Sequence, residues 1–300
     1  MGNYYCLMAG LPDLSLEDSK CKVNMADMRE QMEEVLSDKD KKIISYFFLK
    51  HDCTNLVKLL KNPSLWQGKQ DFASVLDDEG NLTAEQYVDL MTSAKEMNFN
   101  VHRFPTFMSE FARNYPYNKD KEGYFPEDDI LYQYYMYAIE TCPNKMIRQW
   151  YKLNLDITNI LTAFLARKNG WSVADYIQGD NEVNEIILTN NTKDFSLTNE
   201  YDYMTALMKI VDCEDPVEKE KRIDAFKWLW LDEQTFFDIF SVEAVFAYIC
   251  KIDMLSRWEK LDVEKGKETF QQIIENLRGE ARVPAEFQAK AAHTINLTAK

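Results

Sequence analysis

DITNILTAF at 156–164 has two counterparts in the chain, DCTNLVKLL at 52–60 and DMLSRWEKL at 253–261, at separations of 104 and 97 residues. The first two share Asp-x-Thr-Asn, and the third keeps the Asp and carries Ser256 where Asn is expected. A glycine follows each segment, at Gly68, Gly170 and Gly266. Residues three apart lie on one face of a helix, so Asp52/Asn55, Asp156/Asn159 and Asp253/Ser256 can each bridge to a neighbouring helix or bond amide to carboxylate. A period of about 100 residues is too long for a short solenoid repeat. It predicts an all-α chain of three homologous bundles around a pseudo-threefold axis, at 1–120, 121–215 and 216–284, with a tail at 285–300.

Composition agrees with a helical fold. The 300 residues are 46% hydrophobic and 13% aromatic, which excludes disorder over most of the length. Only 9 Gly and 8 Pro are present, too little punctuation for a sandwich or barrel. The net charge is -15, and no third of the chain is basic, so nucleic-acid backbones and anionic lipid surfaces are repelled on average. No apolar run is long enough for a membrane span, and no signal-peptide pattern opens the chain, so the expectation is a cytoplasmic protein without direct membrane insertion. In the opening MGNYYC, Cys6 stands where a myristoylation signal needs Ser or Thr.

Helical patterns follow one another. MADMREQMEEVL (25–36) repeats its apolar residues on one face, and a new helix starts at Asp38. Thr83 and Gln86 form a capping box opening a helix to about Glu96. Pro126 stands in a first helical turn with acids beside the positive helix end, and the longest element ends at the capping pair Asn169-Gly170. WSVADYIQGDNEVNEIILTNN (171–191) reads as two short helices broken at Gly179, and further helices are expected near 198–211, 216–231, 241–257 and 262–278. The aromatics from Trp228 to Tyr248, Phe236 and Phe237 among them, follow helical faces and read as core. Tyr132, Tyr134, Tyr135 and Tyr137 wrap more than one face, which leaves at least one ring for an interface.

Catalytic, metal and cofactor signals fail one by one. Six cysteines lie 15 to 89 residues apart without a Cys-x-x-Cys pair, and His51, His102 and His293 are scattered, so no metal site is predicted. Asp128 and Asp129 open a helix, but Tyr132 stands where a metal-diphosphate site needs another acid. LDDEGNLTAEQ (76–86) placed as a calcium loop puts Val75 and Gln86 at the anchoring positions, which leaves capping as its reading. His51 and Cys53 are two apart on a helix and point away from each other. No phosphate-cradling Gly-x-x-x-x-Gly-Lys motif is present, so the chain is not expected to hydrolyse ATP.

LDITNILTAFLARKNGW (155–171) resembles the Asp-x-x-Asn segment of the central-stalk C/d protein of the V/A-type rotary ATPases. FSVEAVFAYICKIDMLSRWEKLDVEKGKETFQQII (240–274) resembles the third such segment of that family. YYCLMAGLPDLS, YFPEDD and GDNEVNE are similar to a bacterial branch known as a domain of unknown function, and the resemblance spans about residues 4–287. Relatives carry Glu and Asn where this chain has Asp253 and Ser256, so the third polar contact is expected to be rebuilt. The resemblance implies a funnel of three helical domains that couples the rotor shaft to the membrane rotor ring, with no catalytic, cofactor-binding or metal-binding residue. Its partners would be the shaft proteins and the ring, placing it at the inner face of the membrane. A free-standing helical scaffold or adaptor is the alternative.

Overall fold

The computed structural model describes residues 4–18, 20–67, 72–96, 103–121 and 123–260. Among them there are twelve α-helices and no strand: Tyr5–Ala9 (α1), Met25–Val35 (α2), Asp38–Lys61 (α3), Ser64–Gln67 (α4), Ala84–Glu96 (α5), Thr106–Asn118 (α6), Pro126–Thr141 (α7), Lys145–Asn169 (α8), Glu182–Thr189 (α9), Met204–Val211 (α10), Pro216–Thr235 (α11) and Val242–Lys260 (α12). The all-α expectation holds. The expected helix at 262–278, the tail, Gly68, Gly266, His102 and His293 lie outside the described residues.

Helix boundaries follow local chemistry. The Asn144 side chain accepts from the Ile147 N–H to start α8, and Gly170 ends it with φ +72. The left-handed conformation costs a glycine nothing and returns two amides to the last turn. Thr83 and Gln86 make the expected reciprocal capping bonds, at 2.8 and 3.4 Å. Asp215 caps α11 ahead of Pro216. One expected helix is shorter than its pattern: 198–211 divides into a 3-10 turn, Leu197–Asn199, and α10. Phe195 and Ser196, both at positive φ, turn the chain sharply just before it.

Two compact units are distinguished among the described residues. The first takes the chain up to Asp13 and from Val23 to Lys251, and the second Leu14 to Lys22 and the chain from Ile252. In the second, the Cys21 N–H donates to Glu259 at 3.4 Å, and Lys22 pairs with Asp18 at 3.1 Å. In the first, α7 packs on both α3 and α8. The Tyr134 hydroxyl, fully enclosed, bridges the Tyr46 carbonyl and the Tyr151 hydroxyl at 2.7 Å each, so a polar atom in the core is satisfied twice.

The three helices that carry the repeated segments meet at Phe246. Its ring, 0% exposed, lies edge-on to Phe47 of α3 at 6.2 Å and to Trp150 and Tyr151 of α8 at 6.4 and 6.3 Å. Edge-to-face aromatic contacts add to the area buried, so truncation here opens a cavity shared by three helices. Phe246→Ala is expected to lower stability by about 3–5 kcal/mol, read as the shift in a denaturant unfolding midpoint.

Candidate functional site

The paired polar residues of the repeats prove to be loop clamps. Asn55 is 1% exposed on α3, where its carboxamide needs both a donor and an acceptor. The main chain of one residue supplies both: Asn55 Nδ2 donates to the Asp77 carbonyl at 2.8 Å, and the Asp77 N–H donates to Asn55 Oδ1 at 2.8 Å. Asn159, also 1% exposed, repeats the arrangement on α8. Its Nδ2 donates to the Gln178 carbonyl at 2.9 Å, and the Gln178 N–H returns to Oδ1 at 2.9 Å. After both long helices, α3 and α8, the loop is therefore pinned back by the same two-point bond.

Asp52 and Asp156 hold matching positions on these helices but differ in their partners. Asp52, fully buried, accepts from the N–H groups of Asn81 and Leu82, the Asn81 side chain and the Tyr87 hydroxyl, at 2.7 to 3.0 Å. Burial raises its carboxyl above the usual range, and these donors draw it part of the way back. Gly80 belongs to this arrangement, because a Cβ there would stand 2.7 Å from Asp52 Oδ1. Asp156, 2% exposed, receives Lys152 at 2.8 Å on Oδ2, while Oδ1 is buried with no hydrogen-bond partner. Burial raises this carboxyl too, with Lys152 opposing.

Loop length explains the difference. Asp77 lies six residues ahead of the capping Thr83, enough chain to fold the amides of Asn81 and Leu82 over Asp52. Gln178 lies only three ahead of the capping Asn181, so the chain enters α9 directly. The Asn184 side chain takes up the slack by donating to the carbonyls of Gln178 and Gly179 at 2.8 Å each.

Where the second loop leaves Asp156 without loop donors, a cavity of about 200 Å³ opens, with Lys152, Asp156, Tyr201, Tyr203 and Trp230 among its walls. The Tyr203 hydroxyl is a second buried atom there without a hydrogen-bond partner. Burial first, and then the negative charges of Glu182 and Asp156, raise the Tyr201 hydroxyl to about 12. Asp253 and Ser256 sit half-buried on α12, and the loop after that helix lies outside the described residues.

The family described as "Protein of unknown function (DUF2764)" has a model that matches residues 1–281. The chain belongs to this family. No curated protein and no solved structure matches it significantly.

In this DUF2764 member the aromatic run of α11 and α12 divides in a way its spacing does not announce. Trp228 and Phe246 are buried, as the core reading has it, whereas Phe236 is 72% and Phe237 95% exposed. These two rings follow the end of α11, where no neighbouring helix face is imposed on them, and they stack on each other edge-on at 5.0 Å. Among the tyrosines of α7, Tyr134 is buried and Tyr132, Tyr135 and Tyr137 are half-buried. His51 pairs with Asp77 at 2.6 Å and approaches Glu79 at 3.3 Å, on the flank of the Asn55 clamp, while Cys53 is buried and its thiol raised by that burial. No group of three or more metal-ligand side chains forms among the described residues, and no helix among them is long and apolar enough to cross a membrane.

Two substitutions of the same type should have opposite effects. Asp52→Asn replaces acceptor lone pairs with an NH2 group facing N–H and O–H donors, and is expected to cost about 2–4 kcal/mol in denaturant unfolding. Asp156→Asn removes a buried charge that lacks a donor on one oxygen. A carboxyl raised in the folded state adds stability below its unfolded value and loses it as pH rises through the folded one. The Asp156→Asn variant should therefore gain on the wild type as pH rises above about 4, the unperturbed aspartate value, checked by thermal unfolding over a pH series.

Proposed function

We propose that the chain is a non-catalytic central-stalk component of a V/A-type rotary ATPase, of the C/d type, coupling the rotor shaft to the membrane rotor ring. The observation that carries this reading is the recurrence of one clamp, Asn159 on the Gln178 main chain in α8, whose sequence resembles the Asp-x-x-Asn segment of that component, and Asn55 on the Asp77 main chain in α3, which carries the same Asp-x-Thr-Asn pattern. Pinning each loop to its long helix produces stiff units, and a torque-transmitting adaptor needs stiffness and contact area more than a reactive group. The convergence of α3, α8 and α12 on Phe246 supports the pseudo-threefold arrangement that goes with this role.

Docking in this reading combines two terms. Phe236 and Phe237 with Ile239, 55% exposed, give a small apolar anchor, and the net charge of -15 favours basic partner loops. Exposed ion pairs contribute only about 0–1 kcal/mol each, so the apolar anchor carries most of the affinity and the charges act chiefly on the association rate.

Purification of the native protein from membranes tests the assignment. Co-elution with the shaft and ring proteins is the expected result, reduced by Phe237→Ser. Recovery apart from any ATPase component, with unrelated partners, would make the chain a free-standing scaffold and refute the proposal.

A further inference from the structure

The cavity beside Asp156 brings together two buried polar atoms that lack a hydrogen-bond partner. Asp156 Oδ1 and the Tyr203 hydroxyl are both buried without a hydrogen-bond partner, although the equivalent aspartate of the first bundle has four donors. An unpaired buried acceptor costs free energy, and a buried charge costs more. A water molecule can satisfy an acceptor, but it offsets no charge. The charges close to the cavity include Asp156, Glu182, Glu200 and one ammonium, Lys152, so acids outnumber the ammonium there. Three aromatic side chains, Tyr201, Tyr203 and Trp230, line the same space, and aromatic faces attract cations. Lys152 already uses this property, with its ammonium 6.0 Å from the centre of the Tyr201 ring.

We propose that this cavity binds a small organic monocation: an alkylammonium or guanidinium head that donates to Asp156, on a slim apolar stem against Trp230. Its volume of about 200 Å³ suits a group the size of one long basic side chain. The head offsets part of the negative excess, supplies the donor that Asp156 lacks and lies within reach of the tyrosine rings. The same chemistry arises from two sources, a free amine or the Lys or Arg side chain of a docked polypeptide. The site is independent of the rotary assignment, because every group it uses is present in this chain.

Calorimetric titration of the full chain tests the site with four probes: n-butylammonium, n-butylguanidinium, the neutral n-butylurea and a capped lysine, Nα-acetyl-lysine methylamide. The expected result is saturable binding of the cations, with the neutral probe weaker by about tenfold or more. Asp156→Asn should weaken cation binding about 10- to 100-fold. Lys152→Met, which removes the competing internal ammonium, should strengthen it, an effect that a purely structural lysine would not give. If Asp156→Asn fails to fold, Lys152→Met and Trp230→Leu decide, in opposite directions. Binding of butylammonium but not of capped lysine assigns the free amine, and binding of both assigns a side chain. Equal binding of the neutral probe, indifference to these substitutions, or absence of saturation by any cation overturns the proposal.

Discussion

A carboxamide buried on a helix face must find a donor and an acceptor together, and the N–H and carbonyl of a single loop residue, which belong to adjacent peptide groups, offer both. The structure of this chain depends on that constraint being met twice, by Asn55 and by Asn159. Each bond fixes where the chain returns after a helix of 24 or 25 residues, and hence where the next helix starts. Around the first clamp the consequences spread outwards. Arg29 on α2 donates to the Glu79 and Gly80 carbonyls, Asn81 reaches both Asp52 and the Ser45 carbonyl, and Tyr87 brings α5 onto the same carboxylate.

The two clamps also differ in their surroundings. The paired side-chain hydrogen bond is present at both, whereas the aspartate one turn earlier has loop donors on α3 and none on α8. The longer loop brings N–H groups onto Asp52, and at Asp156 Lys152 and a cavity stand in their place. A polar group retained without its partners is a place where a ligand can supply what the chain omits, and the aromatic walls there narrow the choice of ligand to a cation.

Much of this was legible in the sequence. The Asp-x-x-Asn spacing marked the clamp helices, the Thr83–Gln86 box marked the start of α5, and Asn169-Gly170 marked the end of α8, because each is a local pattern with a local cause. The clamp's other half was not legible, since Asp77 and Gln178 contribute main-chain groups that any residue possesses. Helix α6 buries Phe107, Met108, Phe111, Ala112 and Tyr115, yet Pro105 before it and Pro116 in its last turn punctuate a short pattern. Phe236 and Phe237 have core composition and lie on the surface, because exposure beyond a helix end is decided by what packs there and not by the residues themselves. Tyr201 and Tyr203 line the cavity from the non-helical stretch between the 3-10 turn and α10, inside a segment whose pattern reads as one helix.

Native-state amide hydrogen exchange reads the equivalence of the two clamps directly. The Asp77 and Gln178 amides, though in loops, should exchange as slowly as helix-core amides. Asn55→Ala should release Asp77 alone, and Asn159→Ala should release Gln178 alone. Exchange at open-loop rates in the unaltered chain, or protection that survives removal of the cognate asparagine, would contradict the claim that these side chains set the course of the chain.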